Sequence, residues 1–338
     1  MSELLPLVQQ SLRGEALSSA QAEQFFAAVV QGNVEPVLLT ALLVALKMRG
    51  ETAAEIAGAA RALRSAATPF ERSVPNSIDC CGTGGDGSNT INISSTAALV
   101  AASMGLPVVK HGNRSVSSRS GSADLLEQLG VNIQMSPATA AKALAQSNAS
   151  FLFAPLYHAG IRHAMPVRNA LKSRTLFNLL GPLVNPAKPD FQLLGVYDPA
   201  LTRVMAEALQ QLGTQAAWVV HGSGCDEIAL HGPTKVSALS ASGIDDFELT
   251  PADFGLNNRA LSELAGGEPE QNAKATLAIL QGKGQSAHNE AVAVNVAAML
   301  KISGQPDNLK QLTAQVLEHL ACGNALSTLA QLKEISHG

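Results

Sequence analysis

The chain has few aromatic side chains, little charge of either sign and no long unbroken apolar run, and each scarcity removes a class of protein. Aromatic residues make up 4% of the sequence, with one Trp; so few stacking platforms speak against a single-stranded nucleic-acid binder. Charged residues make up 15%, while 46% are hydrophobic. Disorder is therefore not expected, because the chain can bury a large aliphatic core. The most apolar stretch, Ala97–Val109, is broken by Ser103, Gly105 and Pro107, well short of the roughly 18 residues of a membrane span. Met1–Ser2–Glu3 starts without a basic segment, so no secretory signal and no membrane partner are expected, and the cytoplasm is the expected compartment. The four cysteines, Cys80, Cys81, Cys225 and Cys322, form no CxxC pair and no zinc spacing. They are expected to be reduced thiols.

Acids are also missing from one third of the chain. Between Gly87 and Pro189 there are nine Lys and Arg residues and only two acids, Asp124 and Glu127, although the whole chain carries a net charge of −4. A cationic region inside an acidic protein predicts a local anion site, not a basic surface for nucleic acid.

Residues 1 to about 70 carry apolar residues at three-to-four spacing over Leu4–Arg13, Ala20–Gln31, Pro36–Met48 and Thr52–Ala67. Pro36, Gly50 and the Thr52-x-x-Glu55 capping box punctuate these helices. After residues 68–76, short apolar strands alternate with helices. Expected strands are Ser77–Cys81, Val108–Lys110, Val131–Gln134, Ala149–Phe153, Leu193–Tyr197 and Ala217–Val220. The expected fold class is α/β with a small all-α N-terminal domain and a mostly parallel central sheet flanked by helices. The expected division is a helical domain at 1–70, joined by the Pro-rich crossing segment 166–189, and an α/β domain at 74–338.

Five constellations carry the chemistry. Gly82-Thr83-Gly84-Gly85-Asp86-Gly87 lies between a strand and a helix, where exposed N–H groups and the helix N-terminus favour phosphate. The string fits the dinucleotide pattern, but Asp86 would repel a bare pyrophosphate, and Lys110-His111 stand where a ribose-binding acid belongs. A carboxylate in a phosphate loop makes sense where metal ions accompany the phosphates. Asn89–Thr96 supplies more hydroxyl and amide groups than one helix cap needs. Lys110–Ser122 holds three fixed cations, one His and five Ser without an acid, suited to wrapping phosphate oxygens. His158, Arg162, His163, Arg168 and Arg174 form a second cationic cluster, in which Arg168 can pair with a carboxylate. Asp226-Glu227, just past a strand, can hold Mg²⁺ through oxygen ligands.

GTGGD at 82–86, the segment 92–96, KHGNR at 110–114, PVR at 166–168, RTLFNLLGPLVNP at 174–186 and DE at 226–227 together resemble the motif set of the anthranilate phosphoribosyltransferases, over essentially the whole chain. The resemblance implies Mg²⁺-dependent transfer of the phosphoribosyl group of 5-phosphoribosyl 1-diphosphate to anthranilate, a step of tryptophan biosynthesis, by a homodimer. It implies that Gly82, Gly85, Asp86, Thr90, Asn92, Ile93, Ser94, Ser95, Lys110, His111, Gly112, Asn113, Arg114, Ser115, Val116, Ser117, Ser118 and Ser122 surround the donor. Gly82, Asn113, His158, Arg168 and Gly181 would meet anthranilate. Ser94, Asp226 and Glu227 would hold two Mg²⁺ per subunit, and Lys110 and Asp86 would act by electrostatics and positioning. Two other readings stay open on the residues: a pyrimidine nucleoside phosphorylase, which is similar in architecture and needs no Mg²⁺, and a non-catalytic nucleic-acid-binding paralogue.

Overall fold

A computed structural model describes residues 3–72, 74–115 and 118–338. Four N-terminal helices come first: α1 (Leu5–Leu12), α2 (Ser19–Val30), α3 (Pro36–Arg49) and α4 (Ala53–Ser65). Local chemistry sets their ends. Ser18 caps α2 and Thr52 caps α4, each in a reciprocal capping box, and Pro36 opens α3. Glu55 of the second box is fully buried and also accepts the N–H of Leu17 at 2.9 Å, with Arg49 pairing its other oxygen. One carboxylate thus caps the start of α4 and fixes the loop before α2.

Among the described residues seven strands follow: β1 (Ile78–Gly82), β2 (Val108–Gly112), β3 (Ala149–Phe153), β4 (Phe191–Gly195), β5 (Ala216–Gly222), β6 (Thr234–Ser240) and β7 (Gly243–Leu249). They form one sheet in the order β3-β2-β1-β4-β5-β6-β7. The first five are parallel, and β6 and β7 are antiparallel. The helix after β1 is α5 (Ile93–Ser103).

Residues on successive strand positions point to opposite faces, and the two faces feed two cores. Leu193 and Val220 join α5 and the helix Ser286–Ile302 on one side. Leu194 and Val219 join the helix Leu201–Gln211 and the core of α1–α4 on the other. The N-terminal bundle therefore shares its apolar interior with one face of the sheet. The crossing segment contributes Val167, Leu176, Phe177 and Leu180 to that same core, and the Phe26 and Phe177 rings meet edge to face at 5.7 Å.

Two expectations change. The segment 131–134 is not a strand. Val131 and Ile133 are buried, but the Asn132 N–H and side-chain amide bond to Ser336 of the last helix, and Gln134 N–H bonds to the Asn132 side chain. These groups find partners without joining a ladder. The β6–β7 hairpin adds two strands beyond those expected. Its outer strand alternates weakly, with Asp245, Asp246 and Glu248 exposed at the sheet edge, where charge blocks pairing with another chain.

Candidate active site

The strand order runs outward from β1 in one direction to β3 and in the other to β5. The sheet therefore has a topological switch point between β1 and β4, where a crevice opens beyond the carboxyl ends of the strands and ligands bind in such sheets. Gly82 ends β1 and Gly195 ends β4 at paired positions. Neither can carry a side chain. A Cβ on Gly82 would lie 2.1 Å from Oδ2 of Asp226, and one on Gly195 would lie 1.6 Å from the backbone oxygen of Asp226. The two missing side chains make room for the Asp226–Glu227 segment, which arrives from the end of β5. His221 holds the turn that delivers it: its ring accepts Gly224 N–H at 3.1 Å and its Nδ1 lies 2.8 Å from the Val196 carbonyl.

The glycine loop and this segment are strapped together. Asp226 accepts the N–H of Gly84 at 2.7 Å, while Asp86 accepts the N–H of Asp226 at 3.2 Å and both donors of Ser88. Glu227 accepts the N–H of Ser94 at 3.1 Å, so it sits at the positive N-terminus of α5. Lys110 is buried below them. Its ammonium donates to the Cys80 carbonyl and, at 3.4 Å, to the Ser94 hydroxyl.

Charge is crowded here. Burial, then the neighbouring Asp86, pushes the Asp226 carboxyl up to about 6. Burial, then Asp226, pushes Glu227 up to about 8, with Lys110 acting against the rise. Burial opposes the Lys110 ammonium, yet the Cys80 sulfur and the Asp79 and Glu227 carboxylates around it hold its pKa above the ordinary lysine value. Carboxylates that resist ionisation side by side suit a hard divalent cation. Among the described residues no three His, Cys, Asp or Glu side chains close a ready-made cage. The donor set fits Mg²⁺ nonetheless, since that ion takes one or two carboxylates and completes its shell with water and substrate phosphates.

The other sequence-predicted residues surround this centre in two groups. Thr90 and Ile91 are held by bonds to Ala265 and Leu264, and Asn92 is oriented by Asn272 (2.7 Å), with its own amide donating to the Ser120 carbonyl. Ile93 and Ser95 are buried in the first turn of α5. Gly112 ends β2, and a Cβ there would meet the Ser122 hydroxyl at 2.2 Å. Asn113, Arg114 and Ser118 are exposed. Arg114 pairs with Asp124 and Glu127, and Asp124 also accepts the N–H groups of Ser115 and Gly121. Val116 and Ser117 lie outside the described residues.

The second group is the wall made by the crossing segment. His111 and His158 are buried edge to face, 5.2 Å apart, and the Nε2 of each finds no hydrogen-bond partner among the described residues. Burial holds both rings neutral, His111 down to about 3 and His158 to about 4. Nδ1 of His111 lies 3.2 Å from the Gly181 carbonyl. Arg168 stacks over Phe177 at 5.4 Å, and burial lowers its pKa.

Two residues at the site, Gly195 and Asn272, are not marked by the sequence, and a third, Arg174, is marked only as one of the cationic cluster. Gly195 sits outside every recognisable motif. Asn272 acts from a distant helix, and nothing local marks it. Arg174 belongs to the cationic cluster, but its contacts need the fold: it stacks 3.8 Å over Tyr197 and donates to the Gly85 carbonyl, linking the crossing segment to the glycine loop.

The family model for the glycosyl transferase family, a/b domain, matches residues 74–326, and that for its helical bundle domain matches residues 5–67. The anthranilate phosphoribosyltransferase of Pseudoalteromonas translucida (strain TAC 125) is 55% identical over 98% of this chain and 93% of its own length. The crystal structure of the Thermus thermophilus enzyme of the same name superposes with a TM-score of 0.93 at 42% identity, covering 98% of this chain and 99% of that one. The Saccharomyces cerevisiae enzyme in complex with PRPP and Mg gives 0.90 at 29% identity, covering 99% and 98%; its complex with 4-fluoroanthranilate gives 0.88 at 28%, with the same coverage. With a crevice that admits two carboxylates beside a glycine loop, and with likeness along nearly its full length, this chain belongs to the anthranilate phosphoribosyltransferase family.

Proposed function

We propose that this protein transfers the phosphoribosyl group of 5-phosphoribosyl 1-diphosphate to the amine of anthranilate, releasing diphosphate and giving N-(5-phosphoribosyl)anthranilate, in tryptophan biosynthesis. The observation that carries this reading is the convergence of Asp86 and Asp226 on the glycine loop and of Glu227 on the adjoining start of α5, at the switch point. That arrangement suits a metal–polyphosphate ligand and would repel a bare phosphate. It weighs against phosphorolysis of a nucleoside, and the net acidity weighs against nucleic acid.

In the reaction, the bond from ribose C1 to the diphosphate oxygen breaks and the electron pair leaves with the diphosphate. Positive charge develops on the sugar, the amine lone pair forms the new C1–N bond, and the nitrogen then loses a proton. An aryl amine is neutral near pH 7, so attack needs no prior deprotonation. Catalysis is then positioning plus charge stabilisation. Mg²⁺ bound by Ser94, Asp226 and Glu227, two ions per subunit, would neutralise the diphosphate. Lys110 holds the Ser94 hydroxyl from below and adds fixed positive charge. Asp86 keeps the glycine loop closed on the Asp226 backbone. The glycine loop, the start of α5 and the Lys110–Ser122 loop, Val116 and Ser117 included, bind the donor. Gly82, Asn113, His158, Arg168 and Gly181 bind anthranilate, with the Arg168 guanidinium taking its carboxylate. Neutral His111 and His158 leave that wall free of competing charge.

Residues 1–70 with the crossing segment 166–189 form one unit on the α/β part at 74–338; what supports this reading is that Val167, Leu176, Phe177 and Leu180 of the crossing segment pack with α1–α4, in a core that also takes in one face of the sheet. The outer face of that unit carries exposed Val37, Val44 and Met48 on α3 and Leu5 and Leu12 on α1, with Met48 80% exposed. Such a patch suits a second copy of the chain, and the protein is a homodimer through it.

Anthranilate fluorescence is expected to fall only when both the donor and Mg²⁺ are present; loss that survives EDTA, or none with folded protein, would overturn the assignment. Arg168→Ala is expected to raise the anthranilate KM by on the order of a hundredfold, as for a lost charge-assisted pair, and to leave the donor KM nearly unchanged. An equal rise in both would remove Arg168 from the acceptor site. Light scattering should give twice the chain mass for the native protein and one chain mass for Met48→Glu; a monomeric native protein refutes the dimer. A pH test addresses the metal site. Folding favours the protonated forms of Asp226 and Glu227, because both pKa values are raised. That contribution is full below the ordinary values of 3.8 and 4.5 and is lost as pH rises through about 6 and about 8. Metal-free protein should therefore melt at a lower temperature at about pH 8 than at about pH 6, and Mg²⁺ should restore more stability at the higher pH. A Mg²⁺ effect independent of pH would argue against these ligands.

A further inference from the structure

Asp79 is fully buried in the middle of β1, and no step described above uses it. Its hydrogen-bond partners among the described residues are neutral. One carboxylate oxygen accepts the backbone N–H of His111 at 3.3 Å. The other accepts the side-chain amide of Asn185 at 2.9 Å and the thiol of Cys81 at 3.6 Å. Burial pushes its pKa up, and Lys110 then Asn185 act against the rise. A buried carboxylate is expensive; the nearby Lys110 ammonium offsets part of that cost, but it does not explain the hydrogen bonds that Asp79 makes.

The geometry supplies a reason for them. Asn185 lies in the crossing segment, and its amide also donates to the Val109 carbonyl at 2.9 Å while its oxygen takes the Ala187 N–H at 2.9 Å. Gln192 of β4 donates to the Pro182 carbonyl at 2.6 Å. His111 reaches the Gly181 carbonyl from the other side. The segment 181–187 is thus clipped to β1, β2 and β4 by side chains, and Asp79 is the one group among the described residues that bonds both to the segment and to the His111 backbone. Only an acceptor without N–H groups fits there, because each of its hydrogen-bond partners is a donor.

We infer that Asp79 is a positioning residue for the acceptor: through Asn185 and His111 it fixes the wall formed by residues 181–187, and it touches no substrate itself. The inference rests on the reading that anthranilate lies against His158, Arg168 and Gly181.

The test is Asp79→Asn in the full chain, with Asn185→Ala and the double variant. Wild-type turnover of anthranilate is measured first, so failure of the underlying reading is seen separately. In Asp79→Asn an amide N–H₂ faces either the Asn185 amide or the His111 N–H, and one of the two bonds is lost. The acceptor KM should rise on the order of tenfold while the donor KM stays within about twofold, since a small misplacement of one substrate is enough to do this. Asn185→Ala should show the same split, and the double variant should be little worse than the more affected single one, as for residues acting through one contact. Amide hydrogen exchange over 181–187 should quicken in each variant, which reads the clip without turnover. Equal loss for both substrates, additive effects, or unchanged exchange at 181–187 would each overturn the proposal. If Asp79→Asn does not fold, Asn185→Ala decides alone, and an unchanged acceptor KM in it is a refutation.

Discussion

Three carboxylates, Asp86, Asp226 and Glu227, share one crevice with a single buried ammonium beneath them, and much of the surrounding structure answers to that crowding. Like charges at close range in a poorly hydrated place repel strongly. Backbone N–H groups offset part of the cost: Gly84 serves Asp226, Asp226 itself serves Asp86, and Ser94 serves Glu227. The N-terminus of α5 and Lys110 offset more. What is left is the tendency of Asp226 and Glu227 to keep a proton, and a divalent ion relieves that tendency when it binds. The site is therefore suited to a ligand that brings both positive charge and phosphate.

The sheet makes this possible by topology. At the switch point the loops after β1 and β4 diverge, and the turn after β5 can fold back over the gap. The contribution of α1–α4 is a core continuous with one face of the sheet, together with the crossing segment, whose Val167, Phe177 and Leu180 are anchored in that core beside Arg168, Arg174 and Gly181. Arg174, laid between Tyr197 and the Gly85 carbonyl, ties the crossing segment to the glycine loop.

Much of this could be read from the amino acids, for a physical reason. Strand-end loops that bind anions need glycine, hydroxyls and cations close together in sequence, so GTGGD, the 92–96 segment and KHGNR stand out locally. The helices of residues 1–70 declare themselves by period and caps. Long-range partners do not. Asn272 orients Asn92 across 180 positions, and Asp79 reads as one polar residue in a short strand until Asn185 is seen beside it. Segment 131–134 has the composition of a strand, but its bonding is decided by the last helix. The β6–β7 hairpin is hidden because its outer strand must be polar to protect an edge.

The paired glycines at the ends of β1 and β4 have one more consequence. Gly82 lies in a motif and would be expected to resist change, but Gly195 lies in an unremarkable apolar strand, where alanine looks harmless. The Asp226 backbone passes so close to it that a single methyl group would displace the whole acidic turn. Loss of function at the acidic pair could therefore arise from an innocuous-looking substitution far from any of its carboxylates in the sequence. When a relative's competence is judged from its sequence, the last residue of β4 needs the same scrutiny as the acidic pair it makes room for.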